Sequence, residues 1–112
     1  MNLDELQTRV QEFAVERDWQ QFHTPKNLAM AVAGEAGELV AEFQWLTPEQ
    51  STALTEDALA RTAAEMADVL IYLVRLADVL GVDLLEAADQ KLSSNAVRYP
   101  ADGVRGSAAK QP

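Results

Sequence analysis

The chain has 112 residues, which is a usual length for a single domain. Its 18 acidic residues outnumber nine basic ones and give a formal net charge of −9. This charge argues against a nucleic-acid polymer as partner, because phosphate backbones are bound by clustered Lys and Arg. The absence of cysteine excludes a disulfide framework, a thiol nucleophile and a thiolate metal site. A small phosphorylated ligand is still compatible with this negative net charge, because a bound metal ion reverses the local electrostatics of an acidic site.

The N-terminal segment and the longest apolar run both indicate a soluble, cytoplasmic protein with no membrane partner. The first residues, MNLDELQTRVQEF, are charged throughout and lack the apolar centre of a secretory signal. The longest apolar run, Val69 to Val74, is far shorter than the roughly 20 residues of a membrane-spanning helix.

Helical signals dominate the first half of the chain. An apolar stripe that begins at Leu3 and includes Phe13 predicts the first helix. Thr24-Pro25 is a strong helix start, a cap followed by proline at the first helical position. The predicted elements are a helix from about Leu3 to Asp18, a connection over Trp19 to His23, a helix from Pro25 to roughly Trp45, and a short capped turn after Thr47.

The second half is predicted to be helical as well. A long helix runs from about Glu56 to Leu80 and stops at Gly81, and the last helix covers roughly Leu84 to Arg98, ahead of Pro100. No strand pattern is visible, so the expected fold class is all-α. We expect one domain over residues 1–100 and a flexible C-terminal tail over residues 101–112, which are rich in Gly, Ala and Ser.

Two pairs of carboxylates are distinguished by their surroundings. Glu35 pairs with Glu38, and Glu65 with Asp68, each at i, i+3 spacing, which places both acids on one face of a helix. Glu35 and Glu38 interrupt the apolar stretch AMAVAGEAGELV, with no basic residue near enough along the helix to neutralise them. Glu65 and Asp68 are the only charges in AAEMADVLIYLV, from Ala63 to Val74. Because a buried carboxylate without compensation is costly, these acids require a partner, and a divalent cation is the obvious one.

The two acidic segments repeat one spacing of i, i+3, i+7 and i+10. The residues are Glu35, Glu38, Glu42 and Trp45 in the first segment, and Glu65, Asp68, Tyr72 and Arg75 in the second. If the two helices pack antiparallel, the acids converge into one cluster and an aromatic side chain lies further along each stripe. The alternative is a pair of solvated helix faces, which the apolar context disfavours.

Carboxylates without sulfur or histidine ligands favour a hard cation, with Mg²⁺ first and Mn²⁺ as a substitute. A di-iron carboxylate bundle is excluded because it requires Glu-x-x-His motifs, and the only histidine, His23, has Gln20 three residues before it. Catalytic Mg²⁺ most often acts on phosphate. The chain has no glycine-rich phosphate loop, so metal and basic side chains would have to hold the phosphates.

Basic and aromatic side chains supply the other candidates for a nucleotide site. Lys91, Asn95 and Arg98 share one face of the last predicted helix, where they would either contact phosphates or be ordinary solvent-facing groups. Several ring side chains lie near the connection and the end of the first acidic helix: Trp19, Phe22, His23 and Trp45. Such rings stack on nucleobases, although each one singly fits a hydrophobic core as well.

Motifs along the chain resemble the all-α MazG-like nucleoside triphosphate pyrophosphohydrolases. Their signature is an E-x-x-E pair followed on a later helix by E-x-x-D, matched by GEAGEL at 34–39 and EMADVL at 65–70. Five segments are similar to the dCTP pyrophosphatase branch: ERDWQQFHTPKNL (16–28), GEAGELVAEFQW (34–45), EMADVLIYLVRLA (65–77), NAVRYP (95–100) and RGSAAK (105–110). The resemblance implies an antiparallel helical bundle that is completed by oligomerisation, as a dimer or tetramer.

The same resemblance implies Mg²⁺-dependent hydrolysis of dCTP or a modified dCTP to the monophosphate and pyrophosphate, a house-cleaning activity on the nucleotide pool. The implied metal ligands are Glu35, Glu38, Glu65 and Asp68, with Glu38 and Glu35 as catalytic residues. The implied pocket residues are Trp19, Gln20, Gln21, Phe22, His23, Trp45 and Tyr72. The implied phosphate contacts are Lys91, Asn95 and Arg98. Val10 departs from the animal dCTP enzymes, which carry a substrate-contacting histidine there.

Two other functions stay open at this point. The first is a pyrophosphatase that prefers a nucleotide with another base, such as dUTP or an oxidised nucleotide. In the other case the chain would be a non-catalytic acidic helical module that binds a partner protein.

Overall fold

The computed structural model describes residues 1–112 and contains helices joined by short turns, without strands, which confirms the all-α prediction. The helices are α1 (Leu3–Glu16), α2 (Pro25–Ala41), α3 (Pro48–Ser51), α4 (Glu56–Leu80), α5 (Leu84–Arg98) and α6 (Ala101–Val104), with a 3-10 turn at Gln20–Phe22. The chain divides into an N-terminal unit, Met1–Gly81, and a C-terminal unit, Val82–Pro112. None of the helices combines the length and the apolar character that a membrane span requires.

Side-chain caps start the long helices where the sequence predicts them. The Thr24 hydroxyl accepts a hydrogen bond from the backbone N–H of Asn27, and Pro25 takes the first helical position of α2. Thr55 caps α4 in the same way through the N–H of Ala58. These caps satisfy N–H groups that have no partner within the helix, which stabilises each start by about 1 kcal/mol.

Two helices end earlier than predicted. Helix α2 ends at Ala41, because the N–H of Glu42 turns back to the Leu39 carbonyl at 3.2 Å and a series of turns follows. The prediction that this helix reaches Trp45 is therefore wrong. Helix α1 ends at Glu16 rather than Asp18, because Asp18 adopts a left-handed conformation with φ of 55° that a right-handed helix cannot contain. Gly81, with φ of 70°, ends α4 as predicted.

Helix α4 is the centre of the N-terminal unit, and both α1 and α2 pack against it. As the chain advances from His23 through α2 to Glu42, its partners on α4 move backward along the sequence. His23 contacts Arg75, Glu35 lies near Glu65, and Glu42 pairs with Arg61. The two helices are therefore antiparallel. The fully buried apolar residues are few: Ala14, Leu28, Val74 and Ala77.

The C-terminal unit consists of α5, the short helix α6 and the residues that follow. Helix α5 is capped by the Asp83 carboxylate, which accepts from the N–H of Glu86 at 3.0 Å. The chain end returns to α5, since the N–H of Gln111 donates to the Tyr99 hydroxyl at 3.3 Å. The sequence does not predict α6; the flexibility of residues 101–112 and the boundary at residue 100 stay predictions.

Candidate active site

The centre of the site is an acidic cluster, which we define as Glu35, Glu65 and Asp68. Glu35 comes from α2 and the other two from α4, and one carboxylate oxygen of each lies within 4.8 Å of the others. The antiparallel packing of the two helices creates this approach, because the i, i+3 spacing keeps Glu65 and Asp68 on the face of α4 that meets α2. The structure thus brings together three of the four predicted metal ligands.

Glu65 has the most unusual environment in the cluster. Its Oε2 atom is buried and has no hydrogen-bond partner. Burial raises the pKa of Glu65 above its ordinary value, and the charges of Asp68, Glu38, Glu35 and Glu42 raise it further. A buried oxygen without a partner is costly in a folded protein. The nearby Arg61 does not relieve it, since its guanidinium pairs with Glu42 at 3.3 Å.

The donor set fits a divalent metal ion. All three groups of the cluster are carboxylates, the hard oxygen ligands that Mg²⁺, Mn²⁺ and Ca²⁺ prefer. A cation would also supply the partner that Glu65 Oε2 lacks.

Glu38 is placed differently from the cluster. Its side chain is exposed, and it is not one of the three residues whose oxygens converge. Its charge nevertheless reaches Glu65, where it contributes to the raised pKa. The predicted roles of Glu38 as a metal ligand and as a catalytic residue stay predictions.

A small aromatic cavity of about 70 Å³ lies in the same unit. Its walls include Val10, Phe13, Trp19, His23, Tyr72 and Arg75. Tyr72 follows Asp68 by one helical turn on α4, so the cavity and the acidic cluster share a face of that helix. Three of the predicted pocket residues, Trp19, His23 and Tyr72, therefore line one cavity. Val10, the departure from the animal dCTP enzymes, is part of its wall.

The turn at Asp18 places Trp19 in this wall. Because Asp18 is left-handed, the chain reverses after α1, and the Trp19 N–H donates to the Ala14 carbonyl at 2.9 Å. The Gln21 side chain fastens the turn by donating to the backbone oxygen of Asp18 at 2.8 Å and to its carboxylate at 3.1 Å. Trp19 then packs edge-on against Phe13, with ring centroids 5.8 Å apart.

Two of the predicted pocket residues in this turn, Gln20 and Phe22, are exposed and do not line the cavity. The same is true of Gln21, whose amide is engaged within the turn. Trp45 is 86% exposed and lies in the turns after α2, so it does not continue the acidic stripe of that helix as the sequence predicts. Their contact with a nucleotide stays a prediction.

A polar network joins His23 to three residues that were not predicted as site residues: Arg75, Asp78 and Gln7. Arg75 is only 7% exposed and donates from Nε to His23 Nδ1 at 3.1 Å. Its Nη1 pairs with Asp78 at 3.2 Å, and the other Asp78 oxygen accepts from Gln7 of α1 at 2.7 Å. Burial lowers the pKa of His23, and the Arg75 charge lowers it further. The available signal is that Arg75 and Asp78 are two opposite charges at i, i+3 within an apolar stretch.

The predicted phosphate-binding residues lie on α5 in the C-terminal unit. Lys91 is exposed, and Asn95 is half-buried. Arg98 is engaged within the unit, because its Nε donates to the Gln111 carbonyl and its guanidinium lies 5.3 Å from the Tyr99 ring centroid. The role of these three residues stays a prediction.

Comparisons with known proteins agree with the resemblance found in the sequence. Residues 31–110 match the sequence model of the MazG-like family. The dCTP pyrophosphatase 1 of Mus musculus is 43% identical over 118 residues, covering 96% of this chain and 65% of that protein. The Bos taurus protein of the same name is 44% identical over 110 residues, with the same coverage. The chain thus spans 65% of the length of these curated relatives.

A solved structure is also similar. A crystal structure of a pyrophosphatase from Archaeoglobus fulgidus matches with a TM-score of 0.82 at 38% identity, covering 87% of this chain and 91% of that one. The predicted all-α fold of the MazG-like type is therefore confirmed; its completion by oligomerisation stays a prediction.

Proposed function

The chain belongs to the MazG-like family, and we propose that it hydrolyses a nucleoside triphosphate, preferably dCTP or a modified dCTP, to the monophosphate and pyrophosphate. The observation that carries the proposal is the convergence of Glu35, Glu65 and Asp68 around a buried carboxylate oxygen without a partner. The mouse and bovine relatives, which are dCTP pyrophosphatases, support the choice of reaction and base.

The acidic cluster would hold the divalent metal ion, with Mg²⁺ as the first choice and Mn²⁺ as a substitute. Glu35, Glu65 and Asp68 offer the ligand oxygens. Glu38, which is exposed, is proposed as a further ligand on the strength of the family resemblance. When bound, the metal ion supplies charge neutralisation for phosphate oxygens and lowers the pKa of a bound water. The carboxylates of Glu35, Glu65 and Asp68 would hold that charge, since they come from α2 and α4.

Glu38 is the proposed general base, with Glu35 supporting it. An exposed carboxylate can orient a water molecule and accept its proton. The water oxygen forms a bond to the α-phosphorus, the bond from the α-phosphorus to the bridging oxygen breaks, and pyrophosphate leaves with the electron pair. The monophosphate is the second product, and Glu38 releases the proton that it accepted to solvent.

One edge of the base would enter the cavity lined by Trp19, His23 and Tyr72, since the cavity volume of about 70 Å³ is smaller than a whole nucleoside. Aromatic faces stack on any base, and a polar ring atom adds selectivity through a hydrogen bond. Lys91, Asn95 and Arg98 are proposed as phosphate contacts, on the strength of the family resemblance and of their common face on α5.

Association with further copies of the chain is proposed as well. Few apolar residues are fully buried, and large ones remain exposed on the helices of the N-terminal unit, for example Met30, Leu59 and Met66. Exposed apolar surface of this kind indicates contact with another molecule. We propose that a homodimer or homotetramer covers it.

A product assay tests the proposed reaction. Purified protein is incubated with dCTP, dUTP, the other common triphosphates and an oxidised nucleotide, with Mg²⁺ and with chelator, and pyrophosphate is separated from orthophosphate. Metal-dependent formation of dCMP and pyrophosphate supports the proposal, and orthophosphate with dCDP contradicts it. A silent panel would favour a modified nucleotide as the substrate first and the acidic interaction module second. A binding assay with dCTP and Mg²⁺ then tests the module independently.

A further inference from the structure

The hydrogen bond between Arg75 and His23 has a chemical consequence for the cavity. Arginine carries only donors and stays protonated in proteins. The Nε–H of Arg75 points to His23 Nδ1 at 3.1 Å, so Nδ1 must be the unprotonated nitrogen that accepts. In a neutral imidazole the proton then resides on Nε2.

We propose that Arg75 is a positioning residue that fixes His23 as the Nε2–H tautomer, so that the cavity presents the base with a hydrogen-bond donor and no imidazole acceptor. This inference rests on the proposed function, because it assumes that the base enters the cavity. The Nε2–H donor of His23 favours a base that places a hydrogen-bond acceptor opposite it, such as the ring nitrogen N3 or the carbonyl O2 of cytosine. An amino group at the same point would meet a second donor and would be rejected.

The surroundings of Arg75 hold it in this role. The guanidinium is almost fully buried, and Asp78 fixes its orientation through the 3.2 Å contact to Nη1. Gln7 in turn fixes Asp78 from α1 at 2.7 Å. The network therefore ties the cavity wall to two helices, and it balances the buried positive charge with one carboxylate.

The first test is the tautomer itself, measured by long-range nitrogen–proton NMR correlation on the imidazole of the full chain. His23 is the only histidine, so its signals need no assignment. At about pH 8, well above the ordinary histidine pKa, we expect one neutral form with a protonated Nε2 and an unprotonated Nδ1. A protonated Nδ1 in the wild-type protein would overturn the inference without any variant.

The second test uses Arg75→Met, which removes the donor and keeps an unbranched side chain as far as the position of Nε. We expect the Nδ1–H form to become visible in the NMR spectrum, which a purely structural role of Arg75 would not produce. Arg105→Gln is the matched control, because Arg105 is an exposed arginine in the C-terminal unit whose contact is with Asp102. An unchanged tautomer in a folded Arg75→Met protein would contradict the inference.

The third test links the tautomer to selectivity. Wild-type enzyme is compared on dCTP and on two analogues, one with C–H in place of N3 and one with sulfur in place of O2. Loss of the accepting atom should lower kcat/KM about tenfold for one analogue, the value of one hydrogen bond. In Arg75→Met this discrimination should fall to about twofold; equal discrimination in both proteins would refute the positioning role.

These outcomes separate this inference from the proposed function. If the wild-type protein hydrolyses no triphosphate, the proposed function fails and the selectivity role fails with it, whatever the tautomer. If the enzyme is active and His23 carries its proton on Nδ1, the present inference alone is wrong.

Discussion

Glu35 of α2 and Glu65 of α4 hold carboxylate oxygens within 4.8 Å of each other, although they belong to different helices. Burial is the main cause of the raised pKa of Glu65, and the charges of Asp68, Glu38, Glu35 and Glu42 add to it. A cation held between the two helices would relieve this unfavourable charge at Glu65.

Glu65→Gln should change stability in opposite directions with and without metal. In chelator the thermal midpoint should rise, because the amide removes a buried charge that its acidic neighbours repel. With Mg²⁺ the metal-induced rise should disappear, and turnover should fall at least about 100-fold because several kcal/mol of charge stabilisation are lost. Thermal scans with chelator and with Mg²⁺ measure the two stability changes, and an assay with dCTP measures turnover. Glu49→Gln is the control, because Glu49 is an exposed acid on α3. An unchanged metal-induced rise would remove Glu65 from the metal site.

Glu38→Gln should separate catalysis from metal binding. The residue is exposed and lies outside the convergent group, so the helical content and most of the metal-induced stabilisation should persist. Loss of a general base should nevertheless lower kcat by about 100- to 10,000-fold. Single-turnover kinetics with dCTP, together with circular dichroism, test this. A variant with normal turnover would exclude Glu38 from the mechanism.

His23 should make the free energy of unfolding depend on mildly acidic pH. Its pKa is lowered in the folded protein, so between that lowered value and the ordinary value of 6.5 the unfolded chain binds the proton and the folded chain does not. The contribution of His23 to stability is therefore complete above about pH 6.5 and decreases as the pH falls through this window. Urea unfolding across this range, compared with His23→Gln, isolates the effect. A pH dependence that is identical in both proteins would contradict it.

Asp18→Ala should destabilise the N-terminal unit. The left-handed conformation at φ of 55° costs about 1–2 kcal/mol for an alanine, whereas Asp and Asn tolerate it. The variant also loses the carboxylate that accepts from Gln21. Asp18→Asn is the matched control and should stay within about 0.5 kcal/mol of the wild type. Denaturant unfolding gives both values, and equal stability of the two variants would show that the backbone at this position carries no strain.

Local sequence signals predict most helix boundaries correctly but not all of them. Thr24-Pro25 and Gly81 mark the start of α2 and the end of α4, because capping and left-handed glycine are properties of a few neighbouring residues. The end of α2 at Ala41 has no such signal, since no glycine or proline lies between Leu39 and Trp45. The predicted position of Trp45 on the acidic stripe is wrong for this reason.

The sequence alone determined the helical class and the candidate acids, because periodicity, caps and the apolar setting of Glu35 and Glu65 are all encoded locally. Tertiary structure decided which groups meet. The pairing of His23 with Arg75 joins residues 52 positions apart, and the approach of the acidic helices depends on the antiparallel packing of α2 on α4. Such contacts depend on how whole helices pack, which the spacing of residues along one helix does not specify.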